Sequence, residues 1–265
     1  MSSISKSNLE NQTVRNKNAV NDSVNVNKSM GHIASHLSDL RDKLVPAIAA
    51  VIAVFISLYS YSNELYLFVS EPLRALLPEN TTMIATDVAS PFLTPFKLSF
   101  LASFFLAMPI ILFQIWRFIA PALYRSEKRL ALPLLFSSLA LFYSGVAFVY
   151  YLVFPLIFGF FTSVGPEGVA VMTDIGRYLD FVIKMFFAFG LVFQMPIVII
   201  VFVVTEMTTI ESLKNKRPYI VIGCFTLGML LTPPDVISQT LLALPMYLLF
   251  ELGLFCSGFL ISTND

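Results

Sequence analysis

Charged residues are scarce in this sequence. Asp, Glu, Lys and Arg make up 13% of its 265 residues, whereas hydrophobic residues make up 57% and aromatic residues 14%. Soluble domains carry about 25% charged residues, so this composition excludes an ordinary water-soluble fold and indicates a membrane protein. The formal net charge is +0, which provides no overall field for binding nucleic acid.

Residues that perform chemistry are also few. The two cysteines, Cys224 and Cys256, lie inside apolar runs without the spacing of metal ligands, which favours buried thiols over a disulfide. The two histidines, His32 and His36, are four residues apart but lack the adjacent glutamate of a zinc protease. The chain has neither a Gly-x-Ser-x-Gly elbow nor a Gly-x-x-x-x-Gly-Lys phosphate loop. We therefore predict no enzyme active site, no metal site and no cofactor.

Long apolar runs occupy most of the chain. A helix needs about 20 apolar residues to cross roughly 30 Å of hydrocarbon. Six runs approach or exceed this length: Leu44–Tyr61, Leu98–Trp116, Leu130–Phe161, Leu179–Thr205, Tyr219–Leu231 and Val236–Ser257. The runs predict an all-α, polytopic integral membrane protein with six transmembrane helices.

Two of these runs depart from a simple span. The third is long and contains Pro133 and Pro155, which predict a tilt, a kink or a protruding end. The fifth covers only about 20 Å at 1.5 Å per residue. The fifth and sixth runs together therefore predict either a shallow hairpin or a local thinning of the bilayer.

The N-terminal segment has a different composition. Residues 1–31 are rich in Asn and Ser and lack the apolar core of a cleaved signal peptide, which predicts a disordered cytoplasmic tail. Apolar residues then recur at helical spacing in "HIASHLSDLRDKL", namely Ile33, Leu37, Leu40 and Leu44. This pattern predicts a short amphipathic helix before the first span. We assign residues 32–258 to the membrane domain and residues 259–265 to a short cytoplasmic tail.

The basic residues predict the orientation. Of the 17 Lys and Arg residues, most lie in the N-terminal segment and in the loops after the second and fourth spans: Lys6, Arg15, Lys17, Lys28, Arg41, Lys43, Arg117, Arg125, Lys128, Arg129, Lys214, Lys216 and Arg217. The other side holds Arg74, Lys97, Arg177 and Lys184. Because cytoplasmic loops are enriched in Lys and Arg, both termini are predicted to be cytoplasmic.

The two outer loops carry turn and capping residues. The segment from Asn63 to Pro95 contains four prolines that restrict the backbone, which predicts an ordered cap over the bundle. The second outer loop has turn residues at Gly165–Gly168 and a predicted helix N-cap at Thr173 or Asp174.

Polar residues in or near the spans are functional candidates, because burying them in lipid is costly. Gln194 precedes Pro196, and its amide either bonds to nearby backbone or a neighbouring helix, or is offered to a partner helix. Asp180 and Lys184 are spaced for an ion pair within one helix. Glu251 lies where its side chain could reach the inner membrane interface, and Asp235 lies where a helix N-cap belongs. Each position can be explained without a chemical role for the carboxylate.

Two carboxylates stand on the predicted cytoplasmic face. Asp39 is close to Arg41, and Glu127 lies among Arg125, Lys128 and Arg129. These charges have two interpretations. In the first, the basic residues follow from the membrane topology and the carboxylates pair with their neighbours. In the second, the two carboxylates form a site for two guanidinium groups that are held by bidentate hydrogen bonds.

Several stretches resemble one family, the TatC subunit of the twin-arginine protein translocase. The resemblance runs from about His36 to the last span and rests on "HLSDLRDKL", "TMIATDVASPFLTPFKLSF", "FIAPALYRSEKR", "PEGV", "KRPY" and "GMLLTPPDVISQTLLALPMYLLFE". It implies a six-span, cup-shaped bundle in the bacterial cytoplasmic (inner) membrane. Such a protein binds twin-arginine signal peptides and exports folded proteins with TatA-like and TatB-like single-span subunits and further TatC copies. Export uses the proton motive force without ATP hydrolysis.

The resemblance also implies roles for individual residues. Signal-peptide binding is implied for Glu127, Asp39, Arg41, Leu37, Phe118, Pro121, Arg125 and Arg129. Asp39 stands where relatives commonly have Glu, and Pro72 and Asp235 match outer-side positions linked to activity. Gln194 stands where many relatives carry a glutamate, so this chain keeps hydrogen bonding there without a titratable acid.

Two other function classes make different predictions from the sequence. An ion-coupled secondary transporter of a small solute would call for internal repeats and ionisable residues at mid-depth, and the sequence shows neither convincingly. A purely structural scaffold predicts that the cytoplasmic carboxylates can be replaced freely.

Overall fold

The structure is a computed structural model that describes residues 44–75, 83–119, 131–163, 172–232 and 235–262. Every regular element in these ranges is helical, apart from one isolated bridge between Ile84 and Asp174. The helices are α1 (residues 44–58), α2 (Ser62–Arg74), α3 (Ser90–Leu106), α4 (Met108–Ile119), α5 (Ala131–Phe148), α6 (Phe154–Ser163), α7 (Ile175–Val192), α8 (Met195–Val204), α9 (Ile210–Asn215), α10 (Arg217–Leu231) and α11 (Val236–Ser262).

Six apolar helical segments correspond to the six predicted spans. Four are long enough to cross a membrane: Leu44–Arg74, Leu132–Ser163, Ile175–Val204 and Val236–Phe259. A fifth consists of α3 and α4, which meet at an angle of 48°, and the sixth is the shorter apolar helix α10. The all-α, multi-span fold class is therefore confirmed.

Two predicted boundaries were wrong. The first segment does not end at Tyr61, because a 3₁₀ turn at Tyr59–Tyr61 leads directly into α2, which continues to Arg74. The second begins at Ser90 instead of Leu98. Pro72 is consequently a residue of α2 and not of a loop. The prolines misled the prediction because Pro91 is accepted in the first turn of a helix, where no N–H is needed.

Prolines mark the irregular points of the long segments. In the third segment a π-helical turn, Val149–Val153, separates α5 from α6 immediately before Pro155. The break between α7 and α8 comes just before Pro196, and the break between α3 and α4 just before Pro109. Proline lacks a backbone N–H and clashes with the carbonyl four residues earlier, so each break follows from local covalent chemistry.

Tyrosine hydroxyl groups satisfy two carbonyls that these prolines leave without a helical partner. Pro72 cannot donate to the carbonyl of Phe68, and the Tyr150 hydroxyl donates to that oxygen at 2.9 Å. Pro109 cannot donate to the carbonyl of Phe105, and the Tyr143 hydroxyl donates to that oxygen at 3.0 Å. Both bonds join separate helices, so each proline creates an acceptor for a contact between helices.

The core of the bundle is dominated by phenylalanine. Phe142, Phe154, Phe189 and Phe250 are almost completely buried. The Phe105 ring meets those of Phe142 and Phe186 edge-on, with centroids 5.5 and 5.9 Å apart. Because lipid tails are as apolar as these side chains, the contacts stabilise the bundle through shape and ring geometry more than through removal of water.

Glycine allows a close contact between α8 and α11. A Cβ atom at Gly253 of α11 would lie 2.8 Å from Ile199 Cδ1 and 2.9 Å from Pro196 Cα. Since Pro196 Cα is backbone, α8 could not yield locally to a side chain at Gly253. Small residues serve this purpose at many interfaces between membrane helices.

The two loops that are predicted to face the outer side are joined to each other. Ile84 N–H donates to the Thr173 carbonyl at 3.0 Å, and Ile175 N–H donates to the Ile84 carbonyl at 2.9 Å. Asp174 caps α7 by accepting from Arg177 N–H at 2.9 Å, so the predicted N-cap is confirmed. The described part of the first outer loop is thus held at the start of α7.

Candidate functional site

Most of the predicted signal-peptide residues lie outside the described residues. These are Leu37, Asp39, Arg41, Pro121, Arg125, Glu127 and Arg129. Phe118 belongs to the last turns of α4, where the structure describes its backbone. The structure does place both ends of the segment that contains Glu127, because α4 ends at Ile119 and α5 begins at Ala131.

A polar cluster fixes the helices next to this segment. The buried Trp116 of α4 donates from Nε1 to the Ser138 hydroxyl of α5 at 3.1 Å. Gln194, between α7 and α8, donates from Nε2 to the Ser138 carbonyl at 3.0 Å. Ser138 therefore accepts from two other segments of the bundle. Trp116 also packs with Leu134 and with Ile197 of α8, so α4, α5 and α8 are held together by polar and apolar contacts.

Gln194 follows the first of its two predicted interpretations. Its amide bonds to a neighbouring helix, and the half-buried side chain is neutral at every pH. A glutamate here could donate the same bond only when protonated. Hydrogen bonding at this position therefore requires no proton exchange in this chain.

The two outer-side candidates have structural roles in the described residues. Pro72 frees the Phe68 carbonyl for Tyr150, whose ring also stacks on Phe68 with centroids 4.9 Å apart. Asp235 caps α11, because its Oδ2 accepts from Ser238 N–H at 2.7 Å. The predicted N-cap at Asp235 is confirmed.

The predicted ion pair within one helix was wrong. Asp180 of α7 does not pair with Lys184; its Oδ1 accepts from Lys97 Nζ of α3 at 3.0 Å. Helical spacing makes the pair with Lys184 geometrically accessible, but the packing of α3 on α7 brings another cation to the carboxylate. Sequence spacing alone carries no information about that packing.

Glu251 is more than a side chain reaching the interface. Its Oε2 accepts from Arg217 Nη2 at 2.7 Å, and its Oε1 accepts from the Tyr247 hydroxyl at 2.7 Å. The carboxylate thereby joins α10 to α11. Charge-assisted bonds of this length are stronger than neutral ones, and stronger still where lipid lowers the dielectric constant.

Asp174 is a carboxylate that several hydrogen bonds stabilise outside the spans. The Thr86 hydroxyl donates to Oδ2 at 2.6 Å, and Thr86 N–H donates to the same oxygen at 2.8 Å. The Thr86 hydroxyl bond, followed by the backbone bonds from Arg177 and Thr86, lowers the pKa of Asp174 from 3.8 to about 2. The charged form therefore stabilises the joined outer loops.

Comparison with known proteins identifies the family. Residues 35–245 match the family model described as "Sec-independent protein translocase protein (TatC)". The chain belongs to the TatC family. The TatC protein of Azotobacter chroococcum mcd 1 is 57% identical over 84% of this chain and 88% of its own length. That of Escherichia coli K12 is 55% identical over 86% of this chain and 88% of its own length. A crystal structure described as the twin-arginine translocase receptor TatC has a TM-score of 0.75 and 34% identity, and covers 84% of this chain and 98% of that chain.

Membership of the TatC family confirms the resemblance predicted from the motifs. The chain is a multi-pass membrane protein and a component of the twin-arginine translocase. Its relatives are named as translocase proteins and not as enzymes. The alternative of a small-solute transporter finds no support.

Both cysteines are free thiols, with Cys224 buried and Cys256 partly buried.

Proposed function

We propose that this TatC protein is the receptor of the translocase and binds twin-arginine signal peptides through Glu127 and Asp39. The observation that carries the proposal is the family match over residues 35–245, which includes both carboxylates and their surrounding motifs. Two arginine side chains require two acceptors, and a carboxylate accepts a guanidinium through two parallel hydrogen bonds. Leu37, Arg41, Phe118, Pro121, Arg125 and Arg129 complete the proposed site.

The charges around Glu127 suit this purpose. The neighbouring Arg125, Lys128 and Arg129 are attracted to lipid headgroups, which positions the segment at the membrane surface. Glu127 then offers a negative charge within a basic segment, so a cationic peptide is attracted to one point. The cluster of Trp116, Ser138 and Gln194 supports the proposal, because it fixes the helices from which this segment emerges.

We place the protein in the bacterial cytoplasmic membrane, with both termini in the cytoplasm. Its partners are TatA-like and TatB-like single-span subunits and further TatC copies, and transport of folded proteins draws on the proton motive force. Gln194 and Pro72 are proposed to contribute to this transport through the helix contacts that they make, and Asp235 through the start of α11.

Photocrosslinking tests the receptor role. A photoreactive residue is introduced in membranes at Ser126 or Ser38, beside Glu127 or Asp39, so that both carboxylates are kept. The probe is a precursor with a twin-arginine signal. The matched precursor has both arginines changed to lysine. We expect crosslinks to the first precursor only, because lysine lacks the planar fork of donors. Equal crosslinking of both would contradict recognition of arginine at this face.

A double substitution tests the carboxylates themselves. Glu127→Ala combined with Asp39→Ala is expected to weaken signal-peptide binding by about thirtyfold to several thousandfold, as when one side of a desolvated charge pair is removed. Glu211→Ala removes an acidic residue from α9 and serves as the matched control. Export at the wild-type rate with the double variant would reject the proposed role.

A further inference from the structure

A cationic groove lies between α9, α10 and α11. It is an open cavity of about 490 Å³. Its lining residues are Ile210, Lys214, Arg217, Glu251, Leu254, Phe255, Gly258 and Phe259. The lining combines the apolar side chains with the charged groups of Lys214, Arg217 and Glu251.

The charges in this groove are not balanced. Glu251 is paired with Arg217, and both of its oxygens already accept hydrogen bonds. Lys214 has neither a hydrogen bond nor an ion pair with any residue that the structure describes. The groove thus has one excess positive charge and a lysine ammonium group without a partner among the described residues, the pattern that an anion would complete.

A second, apolar groove adjoins the first. It is a cavity of about 540 Å³ between α5, α8 and α11, lined by Pro133, Leu134, Ser137, Ala140, Leu141, Pro196, Ile197, Ile200, Leu252, Phe255, Cys256 and Phe259. Phe255 and Phe259 line both grooves and form the ridge between them. Phe255 is 77% exposed, so its ring borders both cavities from the surface of the bundle.

We propose that the two grooves together bind one anionic phospholipid. The phosphate bonds to Lys214 Nζ and lies beside the exposed part of the Arg217 side chain, and an acyl chain passes the Phe255–Phe259 ridge into the apolar groove. The excess charge matches the single negative charge of a headgroup such as phosphatidylglycerol, whereas a zwitterionic headgroup brings no net charge. Basic pockets between membrane helices recognise anionic headgroups by this chemistry.

The geometry also assigns a structural consequence. The phosphate would join Lys214 of α9 to Arg217 of α10, while Arg217 remains bonded to Glu251 of α11. The lipid would therefore strengthen the contact between α10 and α11 and contact α5 and α8 on the other side. This proposal does not depend on signal-peptide binding, and its test needs no precursor protein.

Lipid retention in native mass spectrometry tests the proposal. The full chain is purified in detergent, depleted of lipid and titrated with dioleoyl phosphatidylglycerol or dioleoyl phosphatidylcholine. We expect phosphatidylglycerol to bind at least about fivefold more tightly than phosphatidylcholine. Lys214→Gln is expected to weaken the binding of phosphatidylglycerol by about fivefold. Lys216→Gln is the matched control. It removes the same charge two residues from Lys214, and the Lys216 side chain does not line the groove.

The position of the lipid is tested with Cys256. In a Cys224→Ala background Cys256 is the one thiol of the chain. Phosphatidylglycerol is expected to slow its alkylation by N-ethylmaleimide, and Lys214→Gln is expected to shift this protection to about fivefold higher lipid concentration. Inorganic phosphate alone should give no protection, because it has no acyl chain.

Three results would overturn the proposal. Equal binding of the two lipids would make the groove a general lipid contact. An equal effect of Lys214→Gln and Lys216→Gln would mean a diffuse surface charge. Protection of Cys256 that is independent of lipid would mean that another protein segment covers the apolar groove.

Discussion

At the scale of single residues, prolines in this TatC protein define where side chains must supply hydrogen bonds. Pro72 removes a donor from α2, and Tyr150 of the π-helical turn replaces it. The missing donor is a local property of Pro72, but the hydroxyl group that replaces it comes from another part of the chain. The substitution of a helical bond by this bond therefore links two separate helical segments. A substitution at Tyr150 should therefore affect the protein through Pro72.

We predict that Tyr150→Phe lowers the free energy of unfolding by about 1 kcal/mol, because it leaves the Phe68 carbonyl without its donor. Tyr151→Phe is the matched control, since Tyr151 is 72% exposed and its hydroxyl makes no hydrogen bond to the described residues. Thermal unfolding in detergent measures both.

The same argument predicts that the effects of substitutions at Tyr150 and Pro72 on stability are not additive. In a Pro72→Ala background residue 72 regains an N–H that can bond to the Phe68 carbonyl. Tyr150→Phe should then have a smaller effect than in the wild-type chain. An identical loss in both backgrounds would disprove the link between the proline and the tyrosine.

Asp174 predicts how the outer loops respond to acid. Its pKa of about 2 lies below its ordinary value of 3.8, so the folded state favours the charged form. The resulting stabilisation is fully present above about pH 4 and is lost as the pH falls through about 2. Thr86→Val removes the hydroxyl donor and should raise the pKa of Asp174 towards 3.8, which weakens this acid dependence.

Unfolding temperatures measured between pH 2 and pH 6 test this prediction. Asp87→Asn is the control, because it removes another carboxylate of the same loop and leaves the bonds to Asp174 intact. The prediction fails if Thr86→Val and the wild-type chain lose stability in parallel over this range.

At the scale of helices, contact between α8 and α11 depends on the absence of a side chain at Gly253. We predict that Gly253→Ala destabilises the protein by roughly 1 to 3 kcal/mol, because Pro196 Cα cannot move without shifting α8. Gly223→Ala in α10 is the control, since a Cβ there meets nothing within 4 Å and alanine favours helix. Equal effects of the two substitutions on thermal unfolding would refute the packing argument.

At the scale of the whole molecule, the number of membrane crossings decides the topology. Helix α10 has 15 residues and spans about 22 Å, less than the roughly 30 Å of hydrocarbon. It packs directly on α11, and Gln239 Nε2 donates to the Phe225 carbonyl at 2.8 Å. If α10 crosses the membrane, the segment between α10 and α11 lies on the outer side. If α10 and α11 form a shallow hairpin, the same segment lies on the cytoplasmic side.

We predict six crossings with both termini in the cytoplasm. Reporter fusions after residues 127 and 208 should be cytoplasmic, and fusions after residues 78, 167 and 234 should be on the outer side. Alkaline phosphatase and a fluorescent protein as paired reporters give opposite readouts at each point. A cytoplasmic fusion at residue 234 would instead support the hairpin.

The class, the number of apolar segments and the family could be predicted from the amino-acid sequence alone. Composition and run length suffice for the first two, because the bilayer imposes one length on every helix that crosses it. The N-caps at Asp174 and Asp235 were equally predictable, since capping is a property of a few neighbouring residues. The family followed from motifs that contain Glu127 and Asp39, and their roles remain predictions.

Contacts between groups that are distant in the sequence depended on the packing of the helices. Asp180 pairs with Lys97 and not with Lys184, and Glu251 joins Arg217 to Tyr247. The donors that Pro72 and Pro109 require come from helices far along the chain. Spacing restricts contacts within a helix, but the rotation and approach of two helices depend on packing over their whole length. The charged groove beside α11 is such a product of packing, because its residues come from three helices.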